Sequence, residues 1–140
     1  MMKNHSNTRT PSPHRRSGVA AAEFAVCLPV LLVIVFGSIE ACTMIFLKQS
    51  LTVAAYEGIR VAVEHDATNT DVDTASNQVL TDRKVNGGTI VTVPADITTA
   101  AIGTYITVRV TAPCNSNSAM RGWFFNNYSI DGEATMMKEF

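Results

Sequence analysis

The sequence predicts an α+β protein. A long N-terminal helix, membrane-spanning and then amphipathic, packs on a small antiparallel sheet of about three strands, with one short extra helix. Three features predict this. The apolar run from Val19 to Ile39 carries a single charge, Glu23. From Met44 onward apolar residues recur every three or four positions, and beyond Gly88 the pattern turns to β-branched, alternating segments.

Residues 1–18 read as a basic leader. The stretch MMKNHSNTRTPSPHRRS is polar, contains Ser and Pro and has no acidic residue, a composition that does not pack, so it is set apart from the fold. The following run, Val19 to Ile39, covers about 31 Å as a helix at about 1.5 Å per residue, against a hydrocarbon core of about 30 Å. Lys3, Arg9, Arg15 and Arg16 precede it, so the positive-inside bias predicts a cytoplasmic N-terminus and an exported remainder.

The helix is expected to reach about residue 64, giving a span of 19–64 that crosses the membrane to about 39. Met44, Leu47, Leu51, Ala54, Gly58 and Val61 line one face, and HDATN, from His65 to Asn69, replaces the periodic pattern with turn-forming residues. Glu40, Glu57 and Arg60 are expected on the solvated side, with Glu57 and Arg60 three residues apart and able to pair. Residues 65–140 then form the exported α+β head. A second helix is expected from Asp71 to Val85, with Val72, Ala75, Val79 and Leu80 on one side and Asn86-Gly87 as its stop.

Strands are expected over Thr89–Val93, ended by Pro94, and over Tyr105–Ala112, where Ile106, Val108 and Val110 alternate with Thr107, Arg109 and Thr111. A third is expected from Tyr128 to Met137, interrupted by Asp131-Gly132. The apolar face of the sheet should cover the helix stripe.

Of eleven Lys and Arg, four precede the apolar run, leaving seven against twelve Asp and Glu, so the exported part is mildly acidic. Nucleic acid is excluded as a partner on that balance. Cys27 lies in the apolar run, Cys42 just past it and Cys114 in the head, which is no disulfide framework. Cys27 and Cys42 read as small apolar residues in a helix interface; a Cys42–Cys114 bridge is compatible with the sequence and unsupported by it.

Glu23 is the most informative residue. A charge within the bilayer costs roughly 2.5 to 3.5 kcal/mol on insertion scales, and chains that keep one commonly use it. Pro29 removes an amide donor inside the apolar helix, and Gly37 adds a second weak point, so both are candidate kink or packing positions.

Gly18-Val19-Ala20-Ala21-Ala22-Glu23-Phe24 presents a Gly, four residues, a Glu and an aromatic, which resembles the processing signature of tight-adherence (Flp/Tad) pilins. The stretch that includes Leu28-Pro29, Phe36-Gly37, Ile39-Glu40, Gln49, Ala54-Ala55, Glu57-Gly58, Arg60 and Ala62 is similar to the TadE-like minor pseudopilins. Over 65–140 the likeness is one of general plan.

This resemblance implies a pilin-like fold and cleavage after Gly18 by a prepilin peptidase, so that the mature chain begins at Val19. It implies a single-pass protein of the bacterial cytoplasmic membrane with an exported head. Its implied partners are the peptidase, other minor pseudopilins, the major pilin and a membrane assembly platform, in building an adhesive pilus.

Gly18 lacks a side chain, which suits an extended cleavage site, and Arg15 and Arg16 hold it at the cytoplasmic boundary. Cleavage creates an α-ammonium on Val19 one helical turn from Glu23. Glu23, with Phe24, is expected to set assembly register by neutralising the ammonium of an adjacent subunit. Glu57, Gly58, Arg60 and Trp123 are docking candidates.

No enzyme, cofactor or metal site is expected. Asn69, Asp71 and Asp73 have the spacing that begins a calcium loop, but Thr74 replaces the turn Gly and Leu80 the closing Glu. His5, His14 and His65 are isolated from nucleophiles and from one another, and His65-Asp66 is expected to cap a helix end. Trp123-Phe124-Phe125 is expected to pack on the helix, or to bind a pilus component. The alternative function is an exported, membrane- or lipid-anchored binding module with an ordinary secretory signal. Ile39-Glu40-Ala41-Cys42 approximates a lipobox, although Glu40 suits that cut poorly.

Overall fold

A computed structural model describes residues 14–120, 125 and 127–139, with side chains from Gly18 onward. The chain divides into two compact units, Met1–Gly37 and Ser38–Phe140. In chain order the elements are α1 (His14–Ala62), α2 (Asn69–Asp82), β1 (Thr89–Val93), a 3-10 turn (Ile97–Thr99), β2 (Tyr105–Pro113) and β3 (Ser129–Met137).

Within the first unit the described residues are α1 alone. Its apolar side chains are exposed among the described residues: Val26 is 76% exposed and Phe24 60%. Helical structure runs through Pro29.

The second unit is an α+β head. Its three strands form an antiparallel sheet in the order β1-β2-β3, with Ile90 opposite Val110 and Val110 opposite Gly132. Alternation places Ile106, Val108, Val110 and Ala112 in the core with Met44, Leu47, Leu51, Ala54, Ala55, Ile59 and Ala62 of α1 and Val72 and Leu80 of α2. The helix stripe thus drifts to Ile59 and Ala62 at its end, and Val61 is only half-buried. A period of 3.6 carries the buried face round by about that much over four turns.

α2 starts two residues before its expected position and ends three residues short of it. The Asp71 carboxylate accepts hydrogen bonds from the Thr68 N–H at 2.9 Å and the Thr68 hydroxyl at 2.6 Å, fixing the first turn. At the other end Lys84 takes φ 55°, which stops the helix ahead of Asn86-Gly87. The buried side includes Ser76 where the sequence suggested Ala75.

The 3-10 turn was not foreseen. Asp96 caps it through the Thr98 N–H at 2.9 Å, and Ile97 is fully buried at the edge of the core. Asn69 ties α2 to it, donating to the Ala95 carbonyl and accepting from the Ile97 N–H at 3.1 Å. The side-chain oxygens of Asn69 and Asp71 therefore have structural partners, Ile97 across the head and Thr68 in the same turn.

Gly132 is a regular β3 residue, and its effect is opposite to the interruption expected of it. A Cβ there would sit 2.8 Å from Thr52 Cα and closer still to the Thr52 nitrogen, so the strand lies directly on the α1 backbone. Lys48 Nζ donates to the Asp131 carbonyl beside this crossing.

Candidate functional site

The residues singled out for processing and anchoring, Gly18, Val19, Glu23, Phe24, Pro29 and Gly37, all lie on α1 in the first unit. Val19 is 59% exposed, and Glu23, four residues on, is exposed as well. A Cβ added at Gly18 or Gly37 would meet nothing within 4 Å. Neither glycine is therefore required by packing within the described chain. The helix from Gly18 is long and apolar enough to cross a membrane, with a mean hydropathy of 2.6 in its most apolar stretch and none of that stretch buried.

In the second unit, which takes up α1 from Ser38, lies a residue that the sequence reading misplaced. Glu40 is 1% exposed rather than solvated. Its carboxylate accepts from the Ser118 hydroxyl and, at 3.3 Å, from the Met120 N–H, so the charge is removed from solvent but hydrogen-bonded. The signal was in the sequence: Glu40 precedes Met44, Leu47 and Leu51 at steps of four, three and four and so belongs to the buried stripe. Cys114 is buried nearby, and burial, with a smaller contribution from Glu40, pushes its thiol up. All three cysteines are free, so Cys42, which is exposed, is not bridged to Cys114.

Farther along α1, Glu57 and Arg60 form the expected pair at 3.5 Å on an accessible surface. Between them Gly58 is buried. A Cβ on it would collide with Ser76 Oγ of α2 and lie 3.3 Å from the Val72 and Val108 methyls, so this glycine is where the two helices and the sheet meet. Ser76 Oγ is buried with no hydrogen-bond partner among the described residues. His65 and Asp66 sit in the turn after α1 at 3.5 Å from each other, with Asp66 at φ 58°. Trp123, with Phe124, lies outside the described residues, as does His5.

The Glu40, Gly58 and Gly132 contacts hold α1, α2 and the sheet of the head together. Among the described residues no group of three His, Cys, Asp or Glu could hold a metal ion. The outer sheet face carries the Arg109–Glu133 pair at 2.8 Å and a Thr107–Thr135 hydroxyl contact at 2.8 Å, both cross-strand neighbours.

The chain is thus an α+β protein with an apolar, accessible N-terminal helical segment that fits a single membrane pass, followed by a small helix-and-sheet head. The sequence model of the TadE-like protein family matches residues 18–60, so this segment is TadE-like. The match begins at Gly18, ends at Arg60 and lies wholly within α1. No curated protein gives a significant match to the chain, and no solved structure does.

Proposed function

We propose that this chain is a minor pseudopilin of a tight-adherence pilus, cleaved after Gly18 by a prepilin peptidase and anchored by α1 in the bacterial cytoplasmic membrane with its head exported. The observation that carries the reading is the position of the Gly18-to-Phe24 motif. It opens the TadE-like match, and the sequence of α1 turns from basic to apolar within it.

In this reading the protein is a structural partner rather than an enzyme. It assembles with other minor pseudopilins and the major pilin on a membrane platform and takes part in starting or regulating the filament used for surface attachment. Because packing within the described chain does not require glycine at 18, the peptidase cleft supplies a reason for it.

Glu23 has the role of electrostatic register. In a low-dielectric bundle an unpaired ammonium or carboxylate is strongly unfavourable, so the Val19 ammonium of one subunit and Glu23 of its neighbour favour one axial stagger over others. Substituting Glu23→Gln tests this. The variant should be processed normally yet recovered with its pilin partners in much lower yield. Equal recovery with the parent would refute the register role.

A further inference from the structure

Between Phe24 and Lys48 the one charged residue is Glu40, and the head buries it. The exposed surface of α1 past the expected membrane boundary is therefore apolar: Ile39 is 46% exposed, Ile45 59% and Phe46 51%. In sequence, the apolar run thus continues seven residues past the expected boundary at Ile39, to Phe46, with no exposed charge before Lys48.

A second observation lies beside Phe46. A cavity of about 300 Å³ has Thr43 and Phe46 of α1 and Arg83, Lys84, Asn86 and Ser116 in its lining. Neither cation makes an ion pair among the described residues, although the exported part is acidic overall. Apolar side chains flanked by unpaired cations, hydroxyls and amides complement an amphiphile: acyl chains and glycerol on one side, phosphate on the other. A purely apolar partner helix would cover the apolar residues but leave the two cations unanswered, whereas a phospholipid surface supplies both halves of the complement.

We propose that this face of the head rests on the phospholipid surface, with Ile45 and Phe46 in the interfacial layer and Arg83 and Lys84 on headgroup phosphates. The proposal rests on α1 being a membrane anchor. Burial of Glu40 by Ser118 and Met120 is what lets the apolar surface continue to Phe46.

The test uses the full-length chain reconstituted in vesicles of phosphatidylethanolamine and phosphatidylglycerol, probed with a membrane-impermeant maleimide. Native Cys27 and Cys42 are examined singly, each in a chain with the other changed to Ala. Ile45→Cys, Phe46→Cys and Gln49→Cys are examined with both changed; buried Cys114 stays in place. Thiols at 42, 45 and 46 should react at least about tenfold more slowly than at 49, and Arg83→Gln with Lys84→Gln should speed reaction at 46 severalfold.

Reaction at 45 and 46 as fast as at 49, with 27 still protected, would overturn the proposal and leave the anchor intact. Rapid reaction at 27 as well would overturn the anchor reading itself. Protection seen in piliated cells but not in vesicles would assign the face to a protein partner and overturn the lipid assignment. Slow reaction at 46 unchanged by the charge substitutions would overturn the phosphate contacts.

Discussion

Gly132 of β3 lies against the main chain of Thr52 in α1, closely enough that a single added carbon would stand 2.8 Å from Thr52 Cα. The neighbouring atoms are backbone in the middle of a helix, so they cannot swing aside as a side chain would. Gly132→Ala should therefore force strand and helix apart and cost about 1–3 kcal/mol. Denaturant unfolding of the detergent-solubilised chain, followed by the β-sheet signal, measures it. Gly37→Ala, where nothing stands in the way, is the comparison and should leave the head's stability unchanged.

Gly58 offers a more conditional case because its tightest neighbour is the end of a side chain, Ser76 Oγ. An Ala in a helix is ordinarily favoured over Gly by roughly 0.5–1 kcal/mol, but here the added methyl meets that hydroxyl and the Val72 and Val108 methyls. Gly58→Ala should be destabilising alone. Ser76→Ala, which removes a buried oxygen without a partner, should be neutral or stabilising by about 1 kcal/mol, and the pair should recover most of the Gly58→Ala loss. A double-mutant unfolding cycle reads the coupling.

Removing the Glu40 side chain should release the loop that it holds. Glu40→Ala leaves the Ser118 hydroxyl and the Met120 N–H without their acceptor, at a cost of about 1–3 kcal/mol, whereas Glu40→Gln keeps one carbonyl oxygen and should cost less. Limited proteolysis in the 115–120 segment should accelerate in the order Gln, then Ala.

These same residues show what the sequence could and could not disclose. Helical spacing placed both helices and strict alternation placed β2, because burial on a helix or strand face follows spacing, while β1 was read from its β-branched residues and the stop at Pro94. β1 falls on the expected Thr89–Val93. Spacing also put Glu40 on the buried stripe, yet residue type argued for solvent. The hydrogen bonds that settle the matter come from Ser118 and Met120, some eighty residues away. Gly132 looked like a strand breaker for a similar reason, since its need is set by the α1 backbone. The 3-10 turn rests on Asp96, a local cap, and on Asn69, whose role depends on where α2 begins. At the candidate site, the Gly18-to-Phe24 motif was legible because it is local, whereas the cations beside Phe46 were not.

Acid should weaken the head through its capping carboxylates. Hydrogen bonds from Thr68 hold the Asp71 carboxyl below the ordinary range, and those from Thr98 do the same for Asp96. A carboxyl depressed in the folded state contributes stability that is full above its unfolded value, about 3.9, and is lost as pH falls through the lower folded value. Stability should thus be flat near neutrality and fall below about pH 4. Asp71→Asn with Asp96→Asn should lower the plateau and flatten the acid limb, as followed by thermal melts across a pH series.

The central claim is that Val19 becomes the amino terminus and brings its ammonium within one turn of Glu23. Intact-mass and N-terminal analysis of the protein from piliated cells, with and without the prepilin peptidase, tests it most directly. The account predicts a chain beginning at Val19 in the first case and one retaining residues 1–18 in the second. A mature chain beginning at the lipid-modified Cys42, or an uncut leader in peptidase-competent cells, would contradict it.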